Sequence, residues 1–527
     1  MRPCYRSLVS LDSLAATELD LLVIGAGIHG AFAAWDAARR GWRVALVDRG
    51  DFGGASSANS LKIVHGGFRY LQHGDVARLR ESSAARAALL DLAPHLVERL
   101  PCVMPSYGRM SRGPLVLGVA LRAYSLLSLG TGSAARRIPR GRLIDGEEYA
   151  RLAGPLALPG ARGGALWYDA LLLSPDRLLI AVVRSAARDG ANVANYVEAT
   201  RLLRVADGAR ERVVGARLRD EQGREVDVRA RLTLVAASGG SRALAAAPAA
   251  LPPFARACNV VLRRAPPASA VAIPVDGSRR LLFAVPWRGR LMIGTSQHDE
   301  AVTDAAERAV GELLGAVNRA LPALELRVDE VALVHEGLLP GTADRLLDRA
   351  LLIDHEARDG VAGVVTMIGV KWTTSQRTAA RAVALCARRL RADRGAVAAR
   401  LVGAPANGDV APATGENGAD ARLWALYGTE CRDVATVAAE SPELAAPLAP
   451  GVPTIGAEIA WSARSEMVRH LADAVLRRTG LGAAGHPGDA ALAAAARIAA
   501  RALGWDAART STEIALVQRV YPSHRGD

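Results

Sequence analysis

One short stretch constrains the fold more than any other. The apolar run Leu21–Ile24 is followed by Gly25, Gly27 and Gly30 at the spacing G-x-G-x-x-G. A small-residue segment then runs to Gly41, and a second apolar run, Val44–Val47, closes on Asp48. This order predicts a strand, a tight turn, a helix and a parallel strand. Gly25 permits the turn, Gly27 lets a pyrophosphate approach the backbone, and Gly30 lets the helix pack on the strand. The helix N-terminus favours an anion, and Asp48 is placed to accept hydrogen bonds from ribose hydroxyls. A dinucleotide is the ligand class implied; a glycine-rich packing turn is the alternative.

The chain has 527 residues, which predicts two or three domains, and its 50% hydrophobic content excludes a mostly disordered protein. The net charge of +13 favours anionic partners, but the basic residues are dispersed and aromatics are only 4%, so no nucleic acid is expected. Only two of the 66 basic residues are lysines, Lys62 and Lys371. Arginine cannot replace lysine where a compact ammonium is needed, which marks both positions as site candidates. The five cysteines are widely spaced and form no C-x-x-C pair. Neither a disulfide framework nor a structural zinc site is expected, and a reducing compartment fits. No H-E-x-x-H or paired His/Asp cluster predicts a metal, and no G-x-S-x-G predicts a serine hydrolase. The N-terminal residues have no apolar signal core, and no run is long enough to span a bilayer. A cytoplasmic protein is expected.

Hydrophobic periodicity predicts helices over 76–93, 177–188 and 303–320, and strands across 193–235, 255–298 and 328–337. Residues 350–390 read as strand, glycine turn and helix. A Gly/Pro/Asn-rich stretch at 400–420 reads as a linker, and the pattern beyond it is helical. There, Met467, Leu471 and Ala474 or Val475 are spaced to share one helix face. The apolar run 113–129, preceded by Arg109 and Arg112 and broken by Arg122, suits either a buried helix or an interfacial one on anionic lipid.

The segment after Asp48 argues between cofactors. It runs through Ser56, Ser57, Ser60, Lys62, His65, Gly66, Gly67, Arg69 and Tyr70. A classical NAD domain would proceed to another crossover helix; hydroxyls, glycines and a lysine in extended form suit the diphosphate and ring of a flavin. His65 reads equally as a flavin contact or as support for the Gly-Gly turn, and His29 reads as structural.

This segment, SSANSLKIVHGGFRYL, together with the glycine fingerprint, resembles the FAD-dependent glycerol-3-phosphate dehydrogenases and oxidases, within the D-amino-acid-oxidase-like flavoproteins. Similarity continues at Trp167-Tyr168-Asp169, at Ala237-Ser238-Gly239-Gly240, at Ile293-Gly294-Thr295-Ser296, at Ile368-Gly369-Val370-Lys371-Trp372-Thr373-Thr374, and in the helical tail around 464–482. The resemblance covers about residues 20–520. It implies an α/β fold, α+β overall. A Rossmann-like FAD-binding domain would be assembled from 19–100, 160–250 and 350–395 within an oxidoreductase domain at 19–400. An interleaved β-rich substrate cap would come mainly from 255–345, and a C-terminal helical domain from 420–527.

The implied reaction is oxidation of glycerol 3-phosphate, a small phosphorylated polyol, to dihydroxyacetone phosphate. Electrons would pass to a quinone or another acceptor. The implied cofactor contacts are Gly25, Gly27, Gly30, Asp48, Ser56, Ser57, Ser60, Lys62, His65, Gly66, Gly67, Ser238, Gly239, Gly369, Lys371, Trp372 and Thr373. Arg69 and Tyr70 match the family's pair beside the substrate, and Lys371 matches its active-site lysine. His335, just before an altered turn, is a candidate base. The resemblance also implies peripheral attachment to the cytoplasmic face of the inner membrane, and a homodimer is compatible with it. Two departures stand out. Leu339 occupies the place of a substrate-gripping arginine, and Asn259 is the nearest polar residue to a missing histidine. Arg345 or Arg349 is positioned in sequence to compensate. Another hydroxyl or amine substrate, or a non-catalytic FAD-binding protein, is the alternative reading.

Overall fold

The computed structural model describes residues 11–107, 113–128, 138–208, 210–244, 251–275, 281–392, 395–406, 409 and 419–522, the side chains at 69, 72, 73, 419 and 420 excepted. The fingerprint folds as its pattern predicts. Leu19–Ile24 is a strand, Ile28–Arg39 a helix and Val44–Val47 a second strand, and the two strands pair in parallel. Leu21–Ile24 and Val44–Val47 are apolar throughout because helices cover one face of this sheet and the strands Val197–Asp207 and Arg210–Asp220 pack on the other. Glu225–Val235 pairs in parallel on the other side of Leu19–Ile24, and Val364–Ile368 pairs in parallel with Glu225–Val235. Asn192–Ala194 extends the opposite edge beside Val44–Val47. The fingerprint helix packs with the helices Pro175–Arg188 and Ser375–Leu390 in one core with this sheet.

In register, Ile24 lies opposite both Val47 and Val235, and Val235 lies opposite Thr366. Val47 also lies opposite Ala194, so four of the five parallel strands end at one level and Val364–Ile368 runs two residues beyond it. The turns leaving them start with Gly25, Asp48, Ala236 and Gly369. Ligands bind outside the carboxyl ends of strands in such sheets.

A second sheet stands over that edge. Its strand order is Val331–Pro340, Phe254–Leu262, Arg290–Asp299, Leu281–Trp287, Ala270–Pro274, Val97–Pro105, Gly163–Leu172 and Ile63–Val64, with Arg142–Asp145 paired to Gly163–Leu172. The β-rich cap thus recruits Gly163–Leu172 and the end of 19–100, segments expected to belong to the nucleotide-binding parts. Ile63 pairs with Leu171 and Ala270 with Cys102, each more than a hundred positions apart, a relation that local periodicity cannot reveal.

The C-terminal helices Ala419–Tyr427, Cys431–Ala438, Gly456–Ser465, Asp489–Leu503 and Ala507–Gln518 share a core with the second sheet, in which Trp287, Met292 and Leu333 meet Tyr427, Trp461 and Leu471. One expectation fails in this region. Met467 does not share a helix face with Leu471: its φ is +55°, and helix Gly456–Ser465 has already ended. Met467 instead packs against the core of the parallel sheet, while Leu471, Ala474 and Val475 enter the other core. The chain breaks here because Asp473 caps the next turn, accepting from the amides of Arg469 and His470 at 2.9 and 3.0 Å. Among the described residues, no helix is long and apolar enough to cross a membrane.

Candidate active site

The four strand ends and the second sheet enclose a cavity of about 340 Å³. Gly25 begins it. Its φ is +104°, and a Cβ there would lie 2.8 Å from Ala236 C, so only glycine lets the first and third strand ends approach. Gly30 lies out of the cavity with its Cα against Gly25 O, where a Cβ would fall 1.9 Å away; it permits the helix-on-strand contact. The fingerprint helix has no side-chain cap at Gly27, and its Ile28 amide donates to Ser57 Oγ at 3.0 Å. An uncapped helix N-terminus facing a cavity is an anion site.

Asp48 lines the same end. Its Oδ2 accepts from the Ala26 amide at 2.7 Å and its Oδ1 from the Gly50 amide at 3.0 Å. Burial raises its carboxyl to about 6, against the lowering effect of those two amides. Glu198 and Arg49 also line this end and are absent from the sequence-based set. The signal for Glu198 was a topological one: Val197 donates its amide to Asp48 O at 2.8 Å, because the strand Asn192–Ala194 lies beside Val44–Val47.

The loop after Asp48 forms the floor. Ser56 Oγ donates to Leu338 O at 2.8 Å, tying the floor to the second sheet. Trp372 Nε1 donates to Ser57 O at 2.9 Å, and the His65 amide donates to Thr373 Oγ1 at 3.2 Å. These bonds join the 51–70 segment to the 369–374 turn. Ser60, Ser238, Gly369 and Lys371 complete this wall. Gly369 lies against the His29 ring, where a Cβ would sit 2.3 Å from it. Burial lowers the His29 imidazole to about 4, so it is neutral, and its Nε2 has no hydrogen-bond partner although the residue lines the cavity.

Lys371 Nζ donates to Tyr70 Oη at 2.6 Å and to Asp348 O at 3.1 Å. Arg78 stacks 5.0 Å above the Tyr70 ring and pairs with Asp75 and Asp348, each at 3.1 Å. Arg349 lies 3.6 Å from Asp75. Leu339 and Asn259 are on the wall, with Asn259 Oδ1 accepting from Thr295 Oγ1 at 2.8 Å.

Several sequence-predicted residues lie elsewhere. Lys62 is fully buried behind the floor, with Nζ bonded to Ala58 O and 4.7 Å from the Trp287 ring centroid. Burial lowers it to about 8. His335 is not on the cavity wall either. Its Nδ1 is 2.9 Å from Asn59 Oδ1, its Nε2 has no partner, and burial holds the imidazole well below its ordinary value. It supports Asn59, and it lacks the access a base needs. Gly66 and Gly67 also work from behind. A Cβ on Gly66 would fall 2.0 Å from Tyr124 Oη and 2.2 Å from Arg86 Nη1. Gly67, at φ +88°, lets Tyr70 fold back over it. Gly239 faces Leu338, at 2.8 Å from a built Cβ. Arg86 and Tyr124, unmarked by sequence motifs, hold the Gly-Gly turn: the Gly66 amide donates to Asp169 Oδ1 at 2.6 Å, and Arg86 Nη1 bonds Tyr124 Oη at 2.6 Å. The Arg69 side chain lies outside the described residues, as do Arg109 and Arg112.

The donor set fits a flavin dinucleotide. It joins a carboxylate for ribose, an uncapped helix end for diphosphate, an unpartnered histidine nitrogen, and an apolar-and-lysine ring end made by Leu61, Ile63 and Lys371. Residues 20–385 match the family described as FAD dependent oxidoreductase.

The chain belongs to this family.

As an FAD-dependent oxidoreductase, it uses FAD as its cofactor. Residues 398–510 match the C-terminal domain of alpha-glycerophosphate oxidase. The chain is 32% identical over 491 residues to glycerol-3-phosphate dehydrogenase 1 of Mycobacterium tuberculosis, covering 88% of this chain and 91% of that protein. It is 28% identical over 503 residues to glycerol-3-phosphate dehydrogenase of Synechocystis, covering 88% and 89%. The fold matches the FAD complex of glycerol-3-phosphate dehydrogenase from Bacillus halodurans with a TM-score of 0.72 at 21% identity, covering 97% of this chain and 95% of that one.

The raised Asp48 carboxyl has a consequence for stability. Its ordinary value is 3.8 and its folded value about 6, so its contribution to stability is present below about pH 4 and is lost as pH rises through about 6. The FAD-free protein should therefore lose stability relative to Asp48→Asn between about pH 4 and 7. Melting temperatures of the two across that range check it; parallel curves would contradict it.

Proposed function

We propose that this FAD-dependent oxidoreductase oxidises glycerol 3-phosphate to dihydroxyacetone phosphate, with electrons leaving to a quinone or another acceptor. The observation that carries the reading is Lys371 on the cavity wall, its Nζ 2.6 Å from Tyr70 Oη, with Arg78 over the Tyr70 ring and Arg349 reaching the Asp75 that Arg78 pairs with. FAD, when bound, supplies the two-electron acceptor for the hydride leaving the carbinol carbon. The hydroxyl proton leaves to water in the cavity, and the alkoxide that develops as it goes is stabilised by Lys371 Nζ, a compact cation. Tyr70 Oη accepts a hydrogen bond from it and so fixes the direction of the ammonium. The phosphate of the substrate competes with the carboxylates of Asp75 and Asp348 for Arg78 and Arg349. Those cations offset the charge that Leu339 does not supply. The resemblance adds Arg69 to the same group. A different hydroxyl or amine substrate is the second reading, favoured by the presence of Leu339 and Asn259 on the wall.

Lys371→Ala should keep FAD and lose about 10²–10³-fold in turnover of glycerol 3-phosphate with a soluble electron acceptor. Turnover equal to wild type would remove Lys371 from the reaction. Loss of glycerol 3-phosphate oxidation in the wild type itself, with another hydroxyl or amine compound oxidised instead, would favour the second reading.

Peripheral attachment to the cytoplasmic face of a membrane is part of the same proposal, because a quinone resides in lipid. The helix Pro114–Leu127 supports it, with Leu115 82%, Val119 60% and Leu126 66% exposed on one apolar segment. Leu115→Glu with Val119→Glu should abolish co-sedimentation with vesicles of anionic lipid while leaving soluble-acceptor turnover unchanged. Unchanged sedimentation would contradict the membrane reading, and a wild-type dimer dissociated by these changes would assign the face to a second copy.

A further inference from the structure

The C-terminal helical domain puts no residue on the cavity wall among the described residues, yet it reaches the cavity floor through buried charge. Asp51 is the hub. It is buried, and both of its oxygens are taken. Arg478 donates from Nη1 to Oδ2 and from Nη2 to Oδ1, each at 2.7 Å. Arg477 Nε donates to Oδ2 at 2.5 Å, and Asn195 Nδ2 to Oδ1 at 3.0 Å. The arginines are themselves fixed: Arg478 Nε donates to Glu466 O at 2.9 Å, and Arg477 Nη2 to Asp473 Oδ1 at 2.8 Å.

The loop that Asp51 begins is the floor of the cofactor cavity. The Gly53 amide donates to Ala26 O at 3.1 Å, between two glycines of the fingerprint. Ser56 then ties the second sheet, and Ser57 receives both the helix-start amide of Ile28 and the indole of Trp372. Anything that moves Asp51 moves these contacts. A buried carboxylate that loses one of two guanidinium partners is left undercompensated, and the loop carrying it gains by opening toward water.

We propose that Arg477 and Arg478 are positioning residues for the cofactor. Through Asp51 they hold the floor loop against the fingerprint turn, so that the C-terminal domain sets the affinity of the site for FAD. This rests on FAD binding at the cavity described above. A second connection runs parallel to the first. Arg177 and Arg184, on the helix against which Gly53 packs, pair with Glu466 and Glu430 of the C-terminal domain at 2.5 and 2.6 Å. The floor loop is thus bounded by C-terminal charges on two sides.

The test is FAD release from the holoenzyme on dilution, followed by the fluorescence of free flavin and by the visible circular dichroism of bound flavin. Arg478→Gln should raise the Kd for FAD at least tenfold, equivalent to about 1.4 kcal/mol, and change the flavin dichroism at temperatures well below melting. Arg478→Lys should recover part of the affinity. Asp51→Asn combined with Arg478→Gln should cost less than the two single changes together, because the double variant removes both charges of the Asp51–Arg478 pair and Arg477 keeps its bond to Asp473. Arg464→Gln, at an exposed pair with Glu440 in the same domain, should leave the Kd unchanged. If Arg478→Gln is insoluble, Arg477→Gln carries the same test. A lowered melting temperature with unchanged Kd and dichroism would overturn the proposal and leave the arginines a purely structural role. Failure of the wild type to bind FAD would instead overturn the site reading on which the proposal rests.

Discussion

The gathering of parallel strand ends is the constraint from which the site follows. Ile24, Val47 and Val235 close three of them at one level and Ile368 closes a fourth two residues beyond, and each is followed by a turn that serves the cavity. A parallel sheet brings strand ends together that are far apart in sequence, and the helix after the first strand aims its N-terminus at the same place. The turns can meet only where side chains are absent. A Cβ on Gly25 would force its strand end away from Ala236, and one on Gly369 would collide with the His29 ring.

Charge is used inside the protein as much as outside it. The net charge of +13 would suggest an arginine-covered surface, but Arg86, Arg177, Arg184 and Arg478 are buried and bonded to carboxylates. Three of these pairs join the C-terminal helices to the nucleotide-binding part. An isolated buried guanidinium would be costly; one paired with a carboxylate is tolerated and holds a defined geometry. The C-terminal domain is therefore attached by apolar packing against the second sheet and by directed charge against the floor loop.

The parts of the fold legible in the sequence are those set by local pattern. The fingerprint unit, the helices Val76–Leu92, Pro175–Arg188 and Ala305–Ala320, and the strands across 254–299 follow from periodicity and turn chemistry. The cap's use of Val97–Pro105 and Gly163–Leu172 was not legible, because strand partnership is a long-range choice. Met467 misled because helical spacing was unbroken while the capping by Asp473 was invisible. At the site, residue type and proximity in sequence did not reveal direction. Lys62 and Lys371 both stood out as the two lysines, yet one points into the cavity and the other into the packing behind it. His335 and Gly66–Gly67 likewise support the wall from behind. Glu198 was missed because its position depends on a strand crossing to the far edge of the sheet.

The central claim is that an intact flavin site is joined to a cation cluster that recognises a phosphorylated alcohol. It is tested most directly by adding substrate to the oxidised holoenzyme without oxygen and following the visible flavin absorption. Glycerol 3-phosphate should bleach the flavin and glycerol, lacking the phosphate, should not. Bleaching by neither, or by glycerol as readily as by its phosphate, would contradict the account.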